Sequence, residues 1–183
     1  MKVDDLTWEA AYALLQGHQA SAETGALCAA ITRLGKPLDP GLVMKGAPVV
    51  AEYLSHEDSV VRERAFWFLG CWGKIPSYLP SLIEAARSDE DVDNRAFAAR
   101  CAGQILKSRH DRNAIRALLG IANNQADEPE ARLAAYSALL YAFHGEAGKQ
   151  QAQEFEPMGD KDLADFDLPW LSSLPGWIEN LPA

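Results

Sequence analysis

Along residues 57 to 73, EDSVVRERAFWFLGCWG, apolar side chains recur at steps of three and four: Val61, Ala65, Phe68, Leu69 and Trp72. A chain turning once every ~3.6 residues brings these positions to one side, so the spacing predicts a helix with one buried face. Asp58 stands just ahead of that face. There a carboxylate can accept from the exposed N–H groups of the first turn and meet the positive end of the helix dipole.

The pattern returns at EDVDNRAFAARCAGQ. An offset of 33 places Ser55 on Ser88, Asp58 on Asp91, Arg62 on Arg95, Ala65 on Ala98 and Gly70 on Gly103. A further offset of 37 puts Glu128, Arg132 and Ala135 on the acid, arginine and alanine positions. The shared order is acid-x-x-x-Arg-x-x-Ala, and a recurrence every ~20 to 50 residues is the mark of a repeat architecture. The arginine lies one turn into each helix, where its fork can bond the acid four residues before it or a neighbouring repeat's carbonyl groups. The alanine is small where another helix must come close. Each such second helix follows a first helix, expected at 47–54, 77–87 and 111–122.

Residues Leu6 to Leu34 also read as two helices, with Leu27, Ile31 and Leu34 on one face, but they lack the acid and the arginine. They are expected to form a degenerate end repeat, since terminal repeats need a polar outer side. KPLDPGL, residues 36 to 42, reads as the break that follows. After Glu146 the pattern fails, and DLPWLSSLPGWIENLPA concentrates Pro and Trp in a stretch expected to be irregular. Phe155, Phe166, Trp170 and Trp177 are too many large apolar groups for a solvated tail. They are expected to cap the last repeat, the alternative being that they await a partner. The chain thus divides into a degenerate repeat over 1–40, three repeats over 41–145 and a cap or tail over 146–183.

Helix pairs of this length with D-x-x-V-R-x-x-A-like second helices resemble HEAT repeats, more particularly the short bacterial HEAT-like type. The resemblance covers about Ala47 to Gly145 and implies an all-α, right-handed α-α superhelix of about four helix pairs, ending in an irregular tail. In HEAT-like stacks the second helices usually line the concave surface. The positions that the core periodicity leaves outside are then candidates for a groove: Arg64, Trp67 and Cys71, next Phe97, Arg100 and Gln104, and last Ala134, Ser137 and Tyr141. Of these, Arg64, Trp67, Phe97, Arg100, Gln104 and Tyr141 are the expected partner-binding residues, because aromatic and guanidinium groups anchor protein interfaces. The competing reading is that Trp67 and Phe97 pack against adjacent repeats or the tail. Trp67 and Arg100 share one position in successive repeats, close enough in that register for a cation–π contact.

Charge narrows the choice of partner. The net charge is −9, and residues 146 to 183 hold eight acids and two bases, −6, leaving −3 for the body. An acidic chain lacks the phosphate-neutralising surface that nonspecific nucleic-acid binding requires, and it suits a basic protein partner. The longest apolar run, AFWFLGCW, is far short of the ~18 to 20 residues of a membrane span. MKVDDLTWEA has no secretory pattern, and Cys28, Cys71 and Cys101 form no C-x-x-C pair, so a reducing cytoplasmic location is expected.

Chemistry is sparse. His18, His56, His110 and His144 fall near expected helix ends, in no H-x-x-x-H or Cys/His cluster. HEAT-like iron hydroxylases, which resemble this architecture, hold metal through several His-Glu pairs. Here His56-Glu57 is the one such pair, and the related positions read Asp89-Glu90 and Ala126-Asp127. Asp89, Glu90, Asp91 and Asp93 read as a solvated turn containing a cap, with a divalent ion as the alternative. The chain has no phosphate loop and no nucleophile elbow. The expectation is therefore a noncatalytic module, without cofactor, that binds a protein partner. The alternatives are a metal-dependent HEAT-like enzyme and, least favoured, a nucleic-acid binder. A small acidic HEAT-like chain also resembles some bacterial immunity proteins, which implies an inhibitor that occupies a toxin's site.

Overall fold

Short polar side chains cap the starts of α-helices in both halves of the chain, through Thr7, Asp39, Asp58, Asp91, Asp111 and Asp167. The computed structural model describes residues 6–17, 23–36, 39–107, 109–155 and 161–181, with 146–150 described by backbone alone, so His18, Pro37 and Leu38 lie outside the described residues. Every regular element among the described residues is helical. Two compact units are formed, Met1–Ile75 and Pro76–Ala183, and their boundary falls inside the 41–145 segment.

In the first unit, α1 (Trp8–Gln16) starts at Thr7, whose hydroxyl accepts from Ala10 N–H at 3.1 Å. Helix α2 spans Thr24–Gly35 and α3 spans Pro40–Ala51. Helix α3 begins within the expected 36–42 break and ahead of the expected start at 47. The reason is local: Asp39 Oδ1 accepts from Gly41 N–H at 2.8 Å and Leu42 N–H at 3.1 Å. Pro40 occupies the first turn, where a missing N–H matters least. A 3-10 turn, Glu52–Ser55, leads to α4 (Ser59–Phe66), capped by Asp58 through Val60 N–H at 2.9 Å. Helix α2 packs on α1, α3 and α4, and Leu27, Ile31, Leu34, Phe66 and Phe68 are fully buried there or nearly so.

Beyond Phe66 the helix widens into a π-helical turn, Trp67–Trp72. Gly73 N–H reaches back to Phe68 O at 2.8 Å, and Lys74 takes a left-handed φ of 46° that ends the helix. Trp72 lies so close to Gly35 that a Cβ there would overlap the indole ring. Gly35 is thus required by close approach rather than by its own backbone angles.

The second unit contains α5 (Leu79–Ser88), α6 (Val92–Leu106), α7 (Arg112–Asn123), α8 (Pro129–Gln153) and α9 (Leu168–Glu179). Asp91 caps α6 through Asp93 and Asn94 N–H, and Asp111 caps α7 through Asn113 and Ala114 N–H. Helix α6 packs on α5 and α8, and α7 packs on α5, α8 and α9. A Cβ at Gly103 would stand 2.8 Å from Ala138 Cα, so glycine sets the separation of α6 and α8. Helix α8 is interrupted at Gly145, whose φ of 53° is non-helical.

The three arginines all sit in the first turns of second helices, as expected, but their contacts differ from pairing with the acid four residues earlier. Arg62, buried, donates to His56 O at 2.7 Å and Glu57 O at 3.0 Å. Arg95 donates to Asp89 O at 2.8 Å, and its carboxylate partners are Asp127 at 3.3 Å and Glu128 in place of Asp91. Arg132 donates to Ala122 O at 3.2 Å. The physical reason is competition: Asp58 accepts from Val60 N–H and the Thr24 hydroxyl and Asp91 accepts from two backbone N–H groups, while the preceding turn offers carbonyl groups that need donors. Glu128 makes no cap bond and is left to serve Arg95.

The expected irregular tail is instead helical. Asp167 accepts from Trp170 N–H at 2.9 Å, Pro169 falls in the first turn, and Leu171, Leu174 and Ile178 form the buried stripe of α9. The tail covers α8 around Tyr136. Its ring stacks on Phe166 at 4.3 Å between centroids and meets Phe155 at 4.7 Å and Trp170 at 5.5 Å edge-on, and its hydroxyl accepts from Asp167 N–H at 3.1 Å. Trp170 is half-buried, as expected, whereas Trp177 is 55% exposed. Trp177 lies one residue off the buried stripe. No helix among the described residues is long and apolar enough to cross a membrane.

Two outcomes follow from this packing. Gly103→Ala should destabilise the protein by about 1 to 3 kcal/mol, since the extra methyl must push α6 from α8; denaturant unfolding that leaves the midpoint unchanged would show the contact to be slack. Removing residues 161–183 should lower the melting temperature and promote aggregation, because Tyr136 and its neighbours lose their cover. A truncated chain that melts like the full one would show that α9 adds nothing to the fold.

Candidate functional site

Trp67 and Trp72 are five residues apart, and an ordinary α-helix would turn them to different faces. The π-helical turn closes its ring over five residues and brings them together: their ring centroids are 5.2 Å apart with planes at 28°. Arg64, one turn before, places its guanidinium carbon 5.0 Å from the Trp67 ring centroid. Arg64, Trp67, Cys71 and Trp72 are all half-buried. The result is a cation–aromatic–aromatic stack held by one continuous helical segment. A cationic contact to Trp67 is thus made by Arg64, three residues away in the same helical segment.

Neighbouring polar groups are set by the same segment. Thr24 Oγ1 donates to Asp58 Oδ2 at 2.5 Å, linking the start of α2 to the cap of α4. That hydroxyl, then Val60 N–H, holds the Asp58 carboxyl below its ordinary range. Cys28 Sγ lies 3.8 Å from Val60 O. Burial pushes its thiol up, with the Arg64 guanidinium pulling the other way, so Cys28 is not an activated nucleophile.

In the second unit, Phe97, Arg100 and Gln104 are half-buried along α6. The third set departs from the expected outward register: Ala134 and Ser137 are fully buried and Tyr141 is 4% exposed. Ser137 is covered by the part of α8 beyond the Gly145 kink, where its Oγ donates to Ala152 O at 3.0 Å. Tyr141 offers no open surface. A cavity of about 460 Å³ beside the tail is lined by His110, Phe143, Trp177, Asn180 and Leu181. The sequence reading missed this cavity, because part of its wall is built by the unexpected α9.

The remaining candidates for chemistry are occupied by local structure. His56 Nδ1 accepts from Asp58 N–H at 3.0 Å. Asp89 accepts from Asp91 N–H at 3.0 Å while Asp91 caps α6, so these carboxylates act as turn and cap groups. His144 is exposed beside Trp170, with ring centroids 5.6 Å apart. Among the described residues no three His, Cys, Asp or Glu side chains group closely enough to hold a metal ion. No family model matches the chain, and no curated protein matches it.

Trp67→Ala, at a half-buried site, should cost less than Leu69→Ala. Leu69→Ala, at a fully buried site, should cost about 2 to 5 kcal/mol. Equal losses on denaturant unfolding would make Trp67 a core residue. The Asp58 carboxyl, lowered in the folded state, contributes stability that is present above its unfolded pKa of ~3.9 and lost as pH falls through the folded value. Thr24→Val should move its NMR titration midpoint upward and shrink that acid-side loss; an unmoved midpoint would show the hydroxyl to be irrelevant.

Proposed function

We propose that this chain is a noncatalytic protein-binding module built as a HEAT-like α-solenoid, with Trp67 and Arg64 as its principal anchor. The observation that carries the reading is the Arg64–Trp67–Trp72 stack, in which flat cationic and aromatic groups are fixed by packing yet remain partly open. Groups ordered before binding lose little freedom on contact, and Trp and Arg are the residues that most often dominate interfaces. Phe97, Arg100 and Gln104, half-buried on α6, supply candidate contacts of the second unit, and Tyr141 is dropped from the set.

The repeat reading draws support from Arg95, which crosses from one acid-x-x-x-Arg helix to Asp127 and Glu128 at the head of the next. Nearest-neighbour ties of this kind are what stacked repeats require. A net charge of −9 fits a partner with a basic surface in the cytoplasm, and an inhibitor of the immunity-protein kind is the most specific form of the same reading.

Affinity capture with mass spectrometry names the partner, and equilibrium binding then tests the surface. Trp67→Ala and Arg100→Ala should each weaken the complex by about 1 to 4 kcal/mol while leaving the fold intact. If both variants fold and bind like the parent protein, the anchor lies elsewhere and the proposal fails.

A further inference from the structure

The exposed side of α7 carries a glycine that the fold does not use. Gly120 lies in the interior of the helix and is exposed, and a Cβ built on it would meet no atom within 4 Å. Glycine weakens a helix interior relative to alanine, so its presence here is unexplained by close approach of the chain itself, in contrast to Gly35 and Gly103. Gly120 forms part of an open cavity of about 620 Å³, lined also by Arg87, Arg116, Ile121, Asn124 and Asp127. That volume lies within the ~300 to 1,000 Å³ of sites for small molecules.

The polar groups around this cavity favour negative charge. Arg87, in the last turn of α5, has no carboxylate partner among the described residues. Arg116 pairs with Glu179 of α9, but both side chains are well exposed, 46% and 67%, and such pairs hold their charges weakly. Asp127, the one acid in the lining, is already answered by Arg95 at 3.3 Å and by Glu128 N–H at 2.9 Å. Asn124 spends its carbonyl oxygen on Ala126 N–H at 3.2 Å, which leaves its amide hydrogens to donate. Arg116 lies one turn before Gly120 on α7, and Asn124 follows as the residue that ends the helix, so a donor lies to either side of the bare glycine in the cavity lining.

We infer that this cavity binds an oxyanion group, carboxylate or phosphate, held by Arg87 and Arg116, with the ligand resting against the backbone at Gly120. Guanidinium groups bond planar carboxylate and phosphate oxygens in pairs, which gives such a site its strength and orientation. Glu179 is then an internal competitor for Arg116. The inference is independent of the protein-binding reading, because it uses other residues and another ligand chemistry.

The test is titration of the full chain with sodium phosphate, sodium citrate and, at matched ionic strength, sodium chloride, followed by amide NMR. Saturable shifts that include Gly120 are expected with phosphate or citrate and not with chloride; saturation by one alone assigns the site to phosphoryl or to carboxylate ligands. Arg87→Gln and Arg116→Gln should each weaken binding about tenfold or more, and Glu179→Gln should strengthen it severalfold. Gly120→Ala should raise the melting temperature by about 2 to 4 °C and yet abolish binding, a combination that a merely structural glycine would not produce. Responses to phosphate and citrate that match chloride overturn the proposal. So does a Gly120→Ala variant that binds like the parent, or one that melts lower and thereby shows the glycine to serve the fold.

Discussion

A guanidinium that begins a helix and is withdrawn from water must be surrounded by oxygen atoms, and much of this structure is arranged to supply them. Arg62 takes two carbonyl groups of the turn before it, Arg132 takes the carbonyl of Ala122, and Arg95 takes one carbonyl and two carboxylates. A buried charge left unanswered would cost several kcal/mol, so the turn before each arginine is held close to the helix after it. The arginines thereby fix how each first helix leads into its second. Asp58 and Asp91 cap their helices through backbone N–H groups, while Glu128, which makes no cap bond, is the acid that turns to an arginine.

Close approach of helices is the second constraint, and it is met by removing side chains. Gly103 lets α6 reach Ala138 of α8, and Gly35 admits the Trp72 ring. The π-helical turn is what delivers that ring. By closing over five residues it shifts Trp72 out of the expected α-helical stripe and under Trp67. A single widened turn thus serves packing on one side and the cation–aromatic stack on the other.

The helical class and the positions of α5, α6 and α7 were legible in the chain because apolar spacing, acid caps and the alanine position all point the same way. The start of α3 was hidden by Asp39-Pro40, which reads equally as a break and as a helix start until the bonds to Gly41 and Leu42 are known. Helix α9 was hidden by Pro169 and Pro175, although Leu171, Leu174 and Ile178 keep a helical interval. The candidate surface was half legible. Arg64 and Trp67 stand out by residue type, but their pairing and the part played by Trp72 depend on a π turn that a uniform ~3.6-residue period cannot express. Ser137 was misplaced because nothing local says that the chain will turn at Gly145 and bring Ala152 over it.

That doubling back has a consequence for growth. Phe166 and Trp170 already occupy the Tyr136 ring, and Asp167 N–H already occupies its hydroxyl. A further helix pair, whether added by duplication or contributed by another molecule, would find no vacant apolar face around Tyr136 to stack upon. The face of α8 around Tyr136 is thus closed by the chain's own segment and not left for another helix to fill.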